Sequence, residues 1–374
     1  MSTYAVITGG GTAGHVLPAV AIAEALVDAG RAAEEIHYVG ARRGIETTLL
    51  PRTPFPHTFL DVVGLQRELN AANVRRNAAL LPKLAAATRQ ARTLLRRLQP
   101  HVVVSVGGYA SLPTVVAARR LGVPVVVVSY DRRPGRASQL TARIAAASAV
   151  AFADSPLPRA VVTGAPVRRS ILAVDRQRDR ETARAELDLP ADRFVVAVTG
   201  GSQGSRALNE AVAAYVTQRA GDASLAVLQV VGDRFLPDVA VVPGDVVHRV
   251  VGFVDHIELV YAAADLLIGR GGASTVVEVS VTGTPAVLVP WAASAEDHQT
   301  LNVRWLADQG AAILLVEGEL AHLGDTIDSL RDDPERVAEL GERARRAGEL
   351  HRSGTLVEVI DRVASSRSRR GPTS

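Results

Sequence analysis

The chain is built around short apolar runs that are β-branched and nearly continuous: "YAVIT", "HVVVSV", "VPVVVVS", "FVVAVTG", "LAVLQVV", "DLLIG" and "PAVLVP". An alternating run marks a strand with one wet face. A continuous run marks a strand buried on both faces, as in a parallel sheet. Segments of helical period fall between the runs, such as "AVAIAEALVDA" and "KLAAATRQARTLLRRL". Strand–helix alternation predicts βαβ units and a doubly wound α/β fold. The pattern also starts twice. A charged helical stretch at 175–189 leads into "FVVAVTGGSQGSRALNEAV", which again reads strand, glycine turn, helix. A chain of 374 residues suits two domains of about 150–200 residues each. The expected architecture is α/β, with two Rossmann-like domains facing a cleft. They span 1–163 and 164–350, are hinged near Gly164–Arg169, and are followed by a C-terminal helix and disordered tail over 351–374.

Composition removes several classes. No segment approaches the ~18 consecutive apolar residues of a membrane span. The opening "MSTYAVITGGG" lacks the charged region and cleavage site of a signal peptide and reads as a first strand. With Cys 0, disulfides, thiolate catalysis and Cys-ligated metals are excluded, and a cytoplasmic location is expected. Lys83 is the one lysine, the net charge is only +3 and aromatics are 4%, so no nucleic-acid partner is expected.

Three glycine-rich turns stand out. Gly9, Gly11 and Gly14 follow the first strand and open a helix, with His15 just past the last of them. Glycine allows a tight turn and close backbone approach, and a helix N-terminus offers N–H groups to an anion. The same pattern suits a dinucleotide. However, the second strand ends "HYVGARRG", without the Asp or Glu that would hold a ribose diol. Arg42 and Arg43 keep an NADP enzyme open.

The second turn is Gly200, Gly201, Ser202, Gln203, Gly204. The third is Gly271, Gly272, Ala273, Ser274, Thr275, with Glu278 further along its helix. Amides of such turns can take a diphosphate, and a carboxylate a turn or so into the helix can accept from both ribose hydroxyls. The alternative for Glu278 is a solvated helix face. After the strand "PAVLVP", Glu296, Asp297, His298, Gln299 and Asn302 lie where an open α/β sheet binds ligands, or simply lead into the next helix.

Taken together, these stretches resemble the MurG family of glycosyltransferases over about residues 4–350. The resemblance rests on "TGGGTAGHVLPA", "VVSVGGYASLP", "GAPVRRSIL", "TGGSQGSRALN", the long run from "VVGFVDH" to "LVPW", and "AEDHQTLN", in that order. It implies a two-domain GT-B fold, a UDP-GlcNAc donor bound by the second domain, a polyprenyl-phosphate-linked acceptor such as lipid I, inversion at the anomeric carbon and no bound metal or cofactor. By position, Phe253 and Val254 would frame uracil and Glu278 would hold the ribose. Arg168, Ser202, Gly272 and Ala273 would meet the diphosphate, with Gly201, Gln203, Gly204, Ser274 and Thr275 also in the donor site, and His298 and Gln299 would read the sugar. Gly10, Gly11, Thr12, Gly14, Gly108 and Tyr109 would cradle the acceptor's phosphates. His15 would take the proton of the attacking hydroxyl as a general base, its alternative being a helix cap.

The resemblance departs at one place. Where the family carries H-E-Q-N, this chain has Val128, Ser129, Tyr130 and Asp131, followed by Arg132, Arg133, Pro134 and Gly135. Tyr130 and Asp131 become candidates for acceptor contact or for the base. Two acceptor readings follow: lipid I, or another lipid-phosphate such as an antibiotic glycolipid intermediate. A UDP-GlcNAc 2-epimerase and a non-catalytic sugar-nucleotide binder share the same donor features. Residues 65–98 set Arg67, Arg75, Arg76, Lys83, Arg89, Arg92, Arg96 and Arg97 against Glu68. A basic amphipathic helix of this kind suits peripheral contact with an anionic membrane at the inner face, or an ordinary surface helix with its apolar side in the core.

Overall fold

The computed structural model describes residues 3–62, 71–201, 203–294 and 297–368. Among the described residues the β-branched runs give thirteen strands, and every pairing there is parallel. The first sheet holds β1 (Ala5–Thr8), β2 (Ile36–Ala41), β3 (His57–Leu60), β4 (Val102–Ser105), β5 (Val125–Ser129), β6 (Ala147–Val150) and β7 (Ala160–Val162). Its order is β3-β2-β1-β4-β5-β6-β7. The second holds β8 (Phe194–Thr199), β9 (Leu225–Val230), β10 (Val247–Val251), β11 (Leu266–Arg270), β12 (Ala286–Val289) and β13 (Ile313–Leu314), in the order β10-β9-β8-β11-β12-β13.

Both orders reverse direction once among the described strands, between β1 and β4 and between β8 and β11. At such a switch point the loops leaving the two neighbouring strands part to opposite faces and open a crevice at the carboxyl edge. The registers Thr8↔Ser105 and Thr199↔Gly269 bring the loop starts level. The glycine turns after Thr8 and Ser105 therefore share one crevice, and those after Thr199 and Arg270 share the other.

The chain divides into two compact units, 1–169 with 353–374, and 170–352. The expected boundary at 163/164 moves a few residues, and the C-terminal helix is not a separate appendage. Helix Thr355–Ser368 packs on β4, β5, β6 and helix Ala13–Asp28, burying Leu356, Val359, Ile360 and Val363. Its Asp361 accepts from the Tyr4 hydroxyl and pairs with Arg31 at 3.3 Å, while the Arg31 guanidinium lies 3.7 Å from the Tyr4 ring centre. The tail beyond 368 lies outside the described residues.

Helix Ala71–Leu98 settles part of the surface-helix alternative. Ala87, Ala91, Leu94 and Leu95 are buried in the first unit's core with Val6, Val103 and Val127. Lys83, Arg89, Arg92, Arg96 and Arg97 are exposed. Over this stretch the apolar face is thus used by the core, and the basic face remains outward. Residues 65–70 lie outside the described residues.

Candidate active site

In the first crevice the glycine turn is braced from several sides. Gly10 and Gly11 have φ of 157° and 96°, and Gly108 has φ of 73°. A Cβ on Gly108 would stand 2.5 Å from the Gly10 carbonyl oxygen, so the two turns meet at backbone contact that only glycine permits. The Tyr38 hydroxyl donates to the Gly9 carbonyl at 3.0 Å. The Tyr109 ring covers Gly11, where a Cβ would sit 2.8 Å from it. The Gly11 N–H donates to both oxygens of Glu46 at 3.2 Å, and Ala41 N–H donates to the same carboxylate at 2.9 Å.

His15 sits in the first turn of helix Ala13–Asp28. Its Nδ1 lies 3.0 Å from the Thr12 hydroxyl oxygen. Its other edge faces Gly107, where a Cβ would stand 3.6 Å from Cδ2, 3.7 Å from Nε2 and 2.9 Å from the Ser138 hydroxyl. The imidazole therefore has Nδ1 beside the Thr12 hydroxyl and Nε2 on the side of Gly107 and Ser138. If Nδ1–H donates to Thr12, Nε2 carries the lone pair a general base needs.

The structure corrects several expectations here. Tyr130 is buried, and its hydroxyl donates to the Gly14 carbonyl. Burial, with Asp131 and Tyr38 nearby, holds that phenol well above its ordinary range, so it stays protonated and is no base. It braces the turn rather than meeting an acceptor. Gly11 does not offer its N–H to a phosphate either, because Glu46 occupies it. Sequence reasoning looked for a carboxylate within "HYVGARRG" and missed Glu46 just beyond. Val128 and Ser129 end β5 and are buried, and Asp131 is partly exposed.

The second crevice is arranged differently. Gly201 and Gly204 have φ of 76° and 65°. A Cβ on Gly204 would lie 2.3 Å from the Val231 carbonyl oxygen, which fixes a glycine there. Gln203 is exposed, and Ser202 lies outside the described residues. Gly272 is the N-cap of helix Ala273–Thr282 and supplies no side-chain cap. The first amides of that helix, at Ala273, Ser274 and Thr275, thus present a positive helix end with no carboxylate or hydroxyl from the cap position.

Glu278 lies on the same helix and is not a freely solvated face. Its Oε2 accepts from the Tyr261 hydroxyl at 2.8 Å, and Tyr261 is buried on helix Ile257–Ala263. Phe253, 59% exposed, presents its ring just after β10, with Val254 half-buried beside it. His298 and Gln299 open helix His298–Ala307. The Gln299 side-chain oxygen accepts from Trp291 N–H at 2.9 Å, so that end of the amide is engaged within the loop. Glu296 lies outside the described residues. Arg168 groups with the first unit, apart in this division from the other expected donor residues.

One charged residue in this crevice went unread in the sequence. Arg270, buried at the end of β11, donates to the carbonyls of Val289 and Pro290 at 3.3 and 3.4 Å, to the Ser205 hydroxyl and to Glu317. Glu317 also accepts from Ala292 N–H at 2.9 Å. Burial works against that carboxylate, yet the Ala292 amide and Arg270 together hold its pKa below the ordinary range. One guanidinium thus ties together the loops that follow β8, β12 and β13. "GRGGAS" showed the arginine, but only the fold shows its four partners.

Two parallel Rossmann-like sheets, each with paired glycine turns at its switch point, define the GT-B class of nucleotide-sugar enzymes. Comparison narrows the class. Residues 5–150 match the N-terminal domain of glycosyltransferase family 28, and residues 195–354 match its C-terminal domain. A Clavibacter sepedonicus protein named UDP-N-acetylglucosamine N-acetylmuramyl-(pentapeptide) pyrophosphoryl-undecaprenol N-acetylglucosamine transferase is 37% identical over 378 residues, covering 99% of each chain. A Nocardia farcinica protein of the same name is 36% identical over 367 residues, covering 96% of this chain and 95% of its own. The crystal structure of Acinetobacter baumannii MurG superposes with a TM-score of 0.71 at 26% identity, covering 97% of this chain and 99% of that one. The chain belongs to the MurG family of glycosyltransferases, and it is a UDP-sugar hexosyltransferase.

Proposed function

We propose that this protein transfers N-acetylglucosamine from UDP-GlcNAc to a muramoyl-pentapeptide pyrophosphoryl-undecaprenol acceptor, a step of peptidoglycan precursor synthesis. The full-length likeness to relatives named for that reaction carries the reading. In the second unit, the uncapped amides at Ala273, Ser274 and Thr275 receive the donor's diphosphate. Glu278, oriented by Tyr261, accepts from the ribose hydroxyls. The Phe253 ring stacks on uracil, and His298 and Gln299 meet the sugar.

In the first unit, His15 takes the proton of the attacking hydroxyl through Nε2, with Thr12 fixing the tautomer. The hydroxyl oxygen forms a bond to the anomeric carbon, the bond from that carbon to the diphosphate breaks, and UDP leaves with the electron pair. Attack opposite the leaving group inverts the carbon. The charge that grows on UDP is met by fixed amides, which need no reorganisation as it develops.

No described helix is long and apolar enough to cross a membrane. The acceptor is lipid-linked, so the enzyme works as a peripheral protein at the cytoplasmic membrane face. The exposed cations of helix Ala71–Leu98 support this reading, since each basic residue near an anionic surface contributes about 1 kcal/mol.

The test is UDP release from UDP-GlcNAc with and without a short-chain lipid I analogue. Release that depends on the analogue, with a disaccharide product by mass, is the expected result. No release from protein that binds UDP would reject lipid I. The stretch Val128–Asp131, which replaces H-E-Q-N, would then be read as rebuilt for another lipid-phosphate, such as an antibiotic glycolipid precursor.

A further inference from the structure

The buried carboxylate beneath the first glycine turn has no part in the mechanism above. Glu46 is fully buried at the start of helix Glu46–Leu49, and among the described residues no ion pair to it is formed. Its partners are the amides of Gly11 and Ala41, 35 and 5 residues away in sequence. Burying a carboxylate without a cation is costly unless amides or other donors satisfy it. The surroundings are shaped for it. A Cβ on Gly10 would lie 2.3 Å from Oε1, one on Gly44 would lie 2.2 Å from Oε2, and one on Gly40 would lie 3.1 Å from Cγ. Gly44 has no positive φ, so room for this carboxylate is the reason for a glycine there. Three glycines on two segments therefore clear a seat for one side chain.

We propose that Glu46 is a positioning residue of the transfer reaction. It holds the Gly10–Gly11 turn, and through it Thr12 and His15, in the geometry of the base. By filling the Gly11 N–H with a negative charge, it also keeps the acceptor's diphosphate off that amide. The Gly11 amide is then part of a rigid shelf, and the anionic part of the acceptor is bound by groups other than that amide. This rests on the transferase reading above.

Glu46→Gln preserves shape but has a single acceptor oxygen. Its NH2 would face one of the two amide donors. Misplacing a catalytic group by about 1 Å can cost ~10²-fold. The expected result is therefore kcat reduced by ~10- to 100-fold, KM for UDP-GlcNAc within about twofold of wild type, and hydrogen exchange at Gly11 faster by ~10-fold or more. Wild-type release in the presence of the lipid I analogue is the control. If wild type itself is inactive, the transferase reading fails, and the exchange measurement still tests the role of Glu46. Wild-type kcat and unchanged exchange in Glu46→Gln would overturn the proposal. So would a lower KM for the acceptor, which would mean that Gly11 N–H is an acceptor ligand normally blocked by Glu46. Should Glu46→Gln fail to fold, Gly44→Ala presses on the same carboxylate without removing its charge, and the same loss of kcat with unchanged donor KM is expected.

Discussion

The two units place a glycine turn at the same topological point and brace it differently. In the first, the Gly11 amide is filled by Glu46, and the carbonyls of Gly9 and Gly14 are held by Tyr38 and Tyr130. Neither helix that follows, after Thr12 or after Gly272, has a side-chain cap, but in the second unit a buried arginine lies just before the helix. A turn whose polar groups are satisfied internally is stiff and presents its neighbours. A turn whose amides stay open presents itself. The first arrangement suits the exact placement of a base, and the second suits the binding of an anion. Glycine content alone distinguishes neither.

The largest expected effect lies in the first crevice. His15→Ala should lower kcat by ~10²-fold or more while leaving UDP affinity unchanged, measured by turnover and calorimetry. A fall of only a few-fold would reduce His15 to a helix-capping role.

The contrast can be tested more directly by making the second crevice resemble the first. Gly272 has φ −64° and ψ 144°, and a Cβ there meets only the Thr275 hydroxyl, at 4.0 Å. Gly272→Asp should cap helix Ala273–Thr282 and stabilise the unliganded protein by ~0.5–1 kcal/mol. It should also weaken UDP binding by ~10-fold or more, because its carboxylate competes for the same amides. A variant that bound UDP as tightly as wild type would show that the diphosphate lies elsewhere.

Tyr261→Phe should have a smaller effect. It removes one hydrogen bond to the Glu278 carboxylate, so UDP affinity should fall by roughly 5- to 10-fold with little change in kcat. An effect on kcat alone would place Glu278 closer to the chemistry than the ribose.

The smallest effect is on acid stability. His37, on β2, bonds Thr58 at 2.9 Å, and burial, aided by Arg97 and His57, lowers its pKa from 6.5 to about 4. The unfolded chain therefore takes up this proton first. The stability tied to a neutral His37 is complete above pH 6.5, declines as pH falls toward 4 and is lost below that. His37→Gln should flatten the dependence of the unfolding midpoint on pH across that window. Burial lowers His351 in the second unit to about 4 as well, so each unit carries its own acid-sensitive histidine.

The parallel sheets were legible because the runs at β1, β4, β5, β8 and β12 are continuous and β-branched. The turns were legible because glycine is required where backbones meet. Glu278 could be singled out because its helix and turn are contiguous in sequence. Glu46, Tyr38 and Arg270 were not found, for a common reason. Each acts on backbone atoms of a segment distant in sequence, and a carbonyl or amide leaves no mark on residue identity. Tyr130 was misread because its position matched a functional motif, whereas burial gave its hydroxyl an architectural partner. The Gln299 contact to Trp291 was not legible, since it depends on how the chain turns after β12.

The last described helix has a consequence for how the protein is made. Residues 353–368 complete the first unit by covering β4, β5, β6 and helix Ala13–Asp28, yet they leave the ribosome only after the whole of 170–352. During synthesis the second unit can close while the first still lacks its cover. The nascent first unit therefore exposes apolar surface for the full time needed to translate its neighbour, and this is the interval in which a chaperone would be most needed.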